Sequence, residues 1–285
     1  MNLSVLEEID ELQQVSFDER KCFLHKEHRW VLPIIFYNQQ KKILSHPCTL
    51  IMFDAHHDTL IPTCMEDIRR IKETGITFDE LINLCKEKLS DRDDDWVKAG
   101  MELGLINDVV IFGVQNGVSC GNLEKYEDHQ KNIHKIKLLG LLSEELDCQG
   151  DLSDIIRLED LSEFWKILGW QNNHQFSFVK DRKNILLDFD LDCFMVHWRG
   201  YKFPWPDKVF EKEFQGTLIH QSTSVLTGKD FINGLINKAA LVTIAREPDF
   251  CDGEKKANEI LGKVNHFLFD DKLNLDKTTS RSTYE

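Results

Sequence analysis

The chain has 285 residues, 41% hydrophobic and 10% aromatic, with a mean hydropathy of −0.36, which suits one large globular domain and excludes a membrane-dominated protein. A formal net charge of −14 argues against nucleic acid, whose phosphates need a basic face, and suits a cationic partner; solubility alone accounts for the same acids equally well. Eight cysteines at irregular spacing, with no Cys-x-x-Cys pair, exclude a disulfide framework and a structural zinc site and read as reduced thiols.

Residues 1–12 carry acids and lack the basic and apolar regions of a signal peptide. No apolar run approaches the ~20 residues of a membrane span, so a cytoplasmic location is the expectation. In chain order, amphipathic periodicity predicts a helix over 29–44, an apolar run predicts a strand at 49–53, and helices are expected over 78–89 and 93–105. The acidic run 90–95 begins the last of these, with Asp94 and Asp95 as cap or first-turn residues. Strands follow at 108–114 and 136–142, a helix at 162–168, a strand at 184–189, a helix at 228–238 and a strand at 240–244. Alternation of this kind predicts an α/β layered fold with a mainly parallel sheet, whose active site lies where loops leave the carboxyl ends of the strands. Residues 1–270 are read as one domain, and the polar stretch 271–285 as a tail outside the core. Two prolines and a glycine make the aromatic stretch 197–206 a loop, either a substrate grip or a lid on the core.

Two strand ends carry the chemistry. The run 49–53 ends in Asp54-Ala55-His56-His57-Asp58, where alternation brings Asp54, His56 and Asp58 to one side and turns His57 away. The run 184–189 ends in Asp188, Asp190 and Asp192, which share one facing. Carboxylates this close repel in a low dielectric unless protonated or bound to a cation, so a metal is the natural neutraliser. Carboxylate-rich donors with few nitrogens suit Mn²⁺ better than structural Zn²⁺, and paired ions 3.5–4 Å apart activate water at neutral pH. A solvated turn is the bland alternative for the 54–58 segment.

The Asp54-Ala-His56-His57-Asp58 segment resembles the Asp-Ala-His-x-Asp signature of arginase and agmatinase ureohydrolases, and Phe189-Asp190-Leu191-Asp192 resembles their later Asp-x-Asp motif. Together with Glu27-His28 before Val31-Leu32-Pro33, and with Thr243-Ile-Ala-Arg246, the set is similar to an arginase-like family that includes peptide arginases, which convert arginine side chains of a ribosomally made precursor peptide to ornithine and urea. The resemblance spans roughly residues 20–255 and implies a three-layer arginase-like fold. It also implies two Mn²⁺ ions: His28 and Asp58 on one, His56 and Asp192 on the other, Asp54 and Asp190 bridging. For His28, which opens the 29–44 helix, the residues alone leave a capping or surface role open; His25 reads as a bystander, and His57 as a bystander or a support to the ligands.

Ureohydrolases place a glutamate on a late strand to hold the guanidinium, and Glu247 stands in a comparable position, where two parallel hydrogen bonds would fix the carbon to be attacked. Pairing of Arg246 with a nearby acid is the competing reading of this segment, and Asp249 or Asp252 could replace Glu247. Asn116 or Ser119 in 115–121 are candidate substrate donors, with an ordinary strand-to-helix loop as the safer reading of that segment. Asp58 is the candidate proton relay and His197 a candidate shuttle by position. The chain lacks the Gly-Gly-Asp-His motif of typical arginases, and Cys193-Phe194-Met195 replaces their Asp-Pro. Those departures weaken free arginine as the substrate and favour an arginine-containing peptide. Another C–N hydrolase, acting on free arginine, an agmatine-like guanidine or an acetylated amine, and a noncatalytic peptide-binding module are the rivals. The sequence leaves the oligomeric state open, a homo-oligomer included.

Overall fold

The structure, a computed structural model, describes residues 3–18, 20–113, 123–140, 184–198, 200–215, 217–220 and 224–275. Its first strands are β1 (Gln13–Phe17), β2 (Arg20–His25), β3 (Cys48–Phe53), β4 (Ile106–Phe112), β5 (Leu123–Glu127), β6 (Ile133–Leu138) and β7 (Ile185–Asp190). After them come β8 (Met195–Trp198), β9 (Tyr201–Pro204), β10 (Thr217–His220), β11 (Ser224–Thr227) and β12 (Leu241–Ala245). The helices are α1 (Val31–Gln40), α2 (Met65–Thr74), α3 (Phe78–Glu87), α4 (Trp96–Leu103), α5 (Asp207–Phe210), α6 (Gly228–Lys238) and α7 (Glu254–Phe269), with 3-10 turns at His28–Trp30 and Leu191–Phe194.

Eight strands form one sheet in the order β1-β2-β12-β7-β3-β4-β6-β5. The six inner strands run parallel, and β1 and β5 close the two edges antiparallel. Strands β3 and β7 are entirely buried because helices cover both faces; β3 reads as a nearly continuous apolar run, whereas β7 passes from Ile185-Leu-Leu187 to Asp188 and Asp190 in its second half. Alternation sorts the core in two. Leu50, Met52, Val109, Ile111 and Leu186 pack with α1–α4, whereas Ile51, Phe53, Val110, Phe112, Leu187 and Phe189 pack with α5–α7. The result is the expected three-layer α/β architecture.

The neighbouring ends of β4, β3 and β7 carry a row of rings: Phe53 stacks on Phe112 and Phe189 at centroid distances of 5.1 and 5.2 Å. Each such pair adds roughly 0.5–1.5 kcal/mol beyond burial, and the row forms an apolar floor one residue before Asp54 and Asp190. Capping boxes, Thr77 with Glu80 and Thr227 with Asp230, start α3 and α6.

Several expectations are corrected. The first helix begins at Val31, after a 3-10 turn that contains His28, and ends at Gln40. Helix α4 begins at Trp96, so the 90–95 run precedes it; Asp95 sits at its N-cap but accepts from Ser90 N instead. The aromatic stretch is a β8–β9 hairpin rather than a loop, with Trp205 buried. The tail starts inside the body: Leu273 is buried in the core and Asn274 N donates to Ser16 O at 3.1 Å. The expected helix 162–168 lies outside the described residues. Among the described residues, no helix is long and apolar enough to cross a membrane.

Candidate metal centre

Parity along the strands places the donors. Met52, two residues before Asp54, and Leu186, two before Asp188, face α1–α4, so Asp54, Asp188 and Asp190 emerge on the side where the 3-10 turn presents His28. Thr243 stands opposite Asp188 in the β12–β7 register, and Ala245 opposite Asp190. Arg246 N and Glu247 N donate to His25 O and Lys26 O at 2.9 Å, joining the end of β12 to the end of β2. Three neighbouring strand ends and the turn after β2 thereby converge.

His28 is fully buried. Its Nε2 lies 2.5 Å from Asp188 Oδ2, and Thr243 Oγ1 donates to the other oxygen of that carboxylate. Its Nδ1 points into three carboxylates, 2.9 Å from Asp58 Oδ2, 3.2 Å from Asp190 Oδ2 and 3.6 Å from Asp54 Oδ2, yet has no hydrogen-bond partner. His56 Nδ1 lies 2.9 Å from Asp192 Oδ2 and 3.7 Å from Asp54 Oδ1. Two donor groups result, His28–Asp54–Asp58 and Asp54–His56–Asp192, each with its donor atoms within 4.8 Å of one another and both containing Asp54.

Protons respond to this crowding. Burial, then Asp58, Asp190 and Asp192, push Asp54 well above the carboxylate range. Burial and Asp192 raise Asp190 to about 7, against the opposing pull of His28. Burial works against a charged His28, but Asp188 and Asp190 outweigh it and hold the imidazole well above its ordinary value. The hydrogen bond to Asp192 is the main reason that His56 rises to about 9. Protons thus gather where a cation would do the same work.

The donor set fits a divalent ion on the structure's own terms. Three buried polar atoms at the convergence, His28 Nδ1, Asp54 Oδ2 and Asp192 Oδ1, lack partners, and buried polar atoms in native proteins are otherwise satisfied. With Nε2 engaged by Asp188, the lone pair of Nδ1 is left for an ion, the arrangement in which an outer carboxylate fixes a ligating imidazole. These His and Asp side chains can hold metal ions.

Asp58 Oδ2 also accepts from Trp96 Nε1 at 2.8 Å. Glu247 is buried, and its Oε1 accepts from His28 N at 2.5 Å. Burial, then Asp190 and Asp93, raise its carboxyl well above the glutamate range. Asp93, where the 93–105 helix was expected to start, lies before α4 and is buried, 3.4 Å from Arg29 Nε and close enough to Glu247 to help raise its carboxyl. Of the described non-glycine residues with positive φ, the buried ones are Asp58 (45°), Asp93 (54°) and Glu247 (44°), and left-handed backbone concentrates at functional sites. Gly113 at the end of β4 (φ 89°) admits Cys193, because a Cβ there would lie 2.5 Å from its Sγ.

Arg246 turns outward to Glu11, Glu254 and Asn258, so the pairing reading holds for Arg246 while Glu247 turns inward. Asp252 pairs with Lys256 at 2.5 Å on the surface and Asp249 is exposed; neither replaces Glu247. His57 accepts from Thr59 N and stands apart from the donor groups. His25 donates through Nδ1 to Glu27 O at 2.9 Å, and burial lowers it to about 4. Asn116 and Ser119 lie outside the described residues, as does the side chain of His197. Asp188, Thr243, Trp96 and Asp93 are the site residues to which sequence reasoning gave no role; Asp188 alone carried a signal, as the third acid of an alternating run. The chain matches no protein-family model and no curated protein.

Proposed function

We propose that this protein hydrolyses the guanidinium group of arginine side chains within a peptide, such as a ribosomally made precursor, giving ornithine residues and urea with two Mn²⁺ bound. One observation carries the reading: two donor groups share Asp54, and within them the buried atoms His28 Nδ1, Asp54 Oδ2 and Asp192 Oδ1 have no hydrogen-bond partner. His28, Asp54, Asp58 and Asp190 would hold one ion, and His56, Asp54, Asp190 and Asp192 the other. Bound there, the ions would supply Lewis acidity and a water acidic enough to attack at neutral pH.

The chain's own residues account for the rest. Glu247, held by His28 N, offers a planar carboxylate for two parallel hydrogen bonds to a guanidinium. Burial, then Asp190 and Asp93, make Glu247's charge costly, and an incoming cation relieves it. Trp96 holds Asp58 Oδ2, which leaves Oδ1 to take the proton of the attacking water and return it to the departing amine. The carbon gains a C–O bond and loses its C–N bond to the side chain, so urea and a primary amine leave together. A net charge of −14 gathers cationic substrates, an effect that fades with salt.

The test is urea release by Mn²⁺-loaded protein from an arginine-containing peptide and from free arginine, with Asp190→Ala as control. Urea from the peptide alone, lost in the variant, is the expected result. Urea from free arginine would make this an ordinary ureohydrolase. No urea from either, with metal bound, would sink the guanidine assignment in favour of another C–N hydrolase or a peptide-binding module.

A further inference from the structure

Among the described residues, the exposed large apolar side chains are Leu60 (48% exposed), Ile61 (66%), Ile133 (51%), Tyr201 (69%) and Phe203 (37%). Scattered exposed apolar residues are ordinary, but four of these five lie on two segments that follow residues of the metal centre in the chain. Leu60 and Ile61 stand two and three places after Asp58; Tyr201 and Phe203 lie on β9, whose partner β8 begins three places after Asp192. Only Ile133, the first residue of β6, lies at the far end of the sheet.

Both apolar segments are fixed. Leu60 N donates to Asp94 O at 2.8 Å, and Val97 N to Asp58 O at 3.3 Å. The hairpin is tied to the loop after β12 by Lys202 Nζ donating to Phe250 O at 3.4 Å, and to α7 by Lys256 Nζ donating to Lys202 O at 2.7 Å. Phe250 in turn rests edge-on to His56, 5.9 Å between centroids. Leu60 and Ile61 also border a surface cleft of about 660 Å³ that reaches Leu89, Asp91 and Arg92, room for several residues of a ligand. Water pays nothing back for apolar surface held rigidly in it, and a hydrophilic substrate as small as arginine has no use for such a rim.

We propose that these two segments are a specificity rim that grips apolar side chains flanking the target residue, so that the substrate is a peptide with apolar residues around its arginine. The proposal rests on the guanidine-hydrolase reading above. The grip is made by side chains rather than by strand pairing, because Lys202 O is already engaged and Pro204 has no N–H to offer.

The experiment uses the metal-loaded full chain and three probes: N-acetyl-argininamide, a peptide with leucine and phenylalanine on both sides of one arginine, and its glycine/serine counterpart of equal length. Urea release gives kcat/KM, and fluorescence anisotropy of labelled peptides gives Kd. The expected result is a preference of about tenfold or more for the apolar peptide. Leu60→Ser/Ile61→Ser and Tyr201→Ser/Phe203→Ser should each remove much of that preference while acetyl-argininamide turnover and metal content stay as in the parent. Equal constants for the two peptides, or variants that slow all three probes alike, overturn the proposal. Absence of urea from every probe defeats the guanidine reading instead, and anisotropy then decides the rim: a preference lost in the variants sustains it, equal binding overturns it.

Discussion

Replacing Asp188 by Asn changes one oxygen to nitrogen at a buried point and tests the metal reading through a residue that touches no ion. In the parent, Thr243 donates to one oxygen of Asp188 and the other accepts from His28 Nε2 at 2.5 Å, which fixes the proton on Nε2 and the lone pair on Nδ1. With Thr243 still donating to the amide oxygen, the amide nitrogen faces His28. Nε2 then becomes an acceptor, the ring proton moves to Nδ1, and the lone pair that points at Asp58 and Asp190 is gone. Outer partners of ligating histidines contribute about 10–100-fold in affinity, equivalent to ~1.4–2.7 kcal/mol. The loss should be confined to one ion, because the Asp54–His56–Asp192 group has no bond to Asp188. Calorimetric Mn²⁺ titration, with ion content by mass spectrometry, should show one site weakened by that factor and one close to parent affinity. Two sites within about threefold of the parent would refute the role given to Asp188 and the assignment of Nδ1 as the donor.

Asp54→Asn, which alters the donor common to both groups, should abolish binding of both ions, whereas His56→Ala should spare the ion at His28; metal analysis after gel filtration separates the two outcomes. In chelator, thermal stability should fall as pH rises from 6.5 to 9: Asp190 near 7 and His56 near 9 are raised above their unfolded values, so the native state binds the extra protons and loses that advantage as they leave. Excess Mn²⁺ should cancel or reverse the fall, and scanning calorimetry at four pH values checks both signs. Trp96→Phe removes the buried donor to Asp58 and should cost about 1.5–3 kcal/mol, the usual worth of a hydrogen bond to a charged group, measured by urea unfolding of the metal-free protein.

The ligand strands were legible because parallel strands buried on both faces read as apolar runs, and acids that interrupt such a run at its end stand out. The edge strand β1 and its neighbour β2 carry no comparable signal: β1 alternates polar and buried residues, and Arg20–His25 opens with two cations. Helix α7 was missed although Ala257, Ile260, Leu261, Val264 and Leu268 are buried at helical spacing, a pattern diluted by the charges between them. Asp93 looked like a helix start within an acidic run; its burial against Glu247 depends on a contact between distant parts of the chain, which local pattern does not encode. The same holds for Trp96, an apolar core residue by every local measure whose one polar atom reaches Asp58.

Strands β3 and β7 are direct neighbours, with Phe53 paired to Phe189, although a long stretch of chain separates Asp54 from Asp190. The spacing of those two acids is therefore an interval of the hydrogen-bonded lattice, close to 4.8 Å between strands, and not the outcome of how the intervening chain folds. Segments between them that supply neither a strand of this sheet nor His56, Asp58 or Trp96 can lengthen, shorten or be exchanged while that spacing stays put. A scaffold of this kind lets the surroundings be rebuilt around fixed donors, and chimaeras that replace only such segments should keep the metal affinity of the parent.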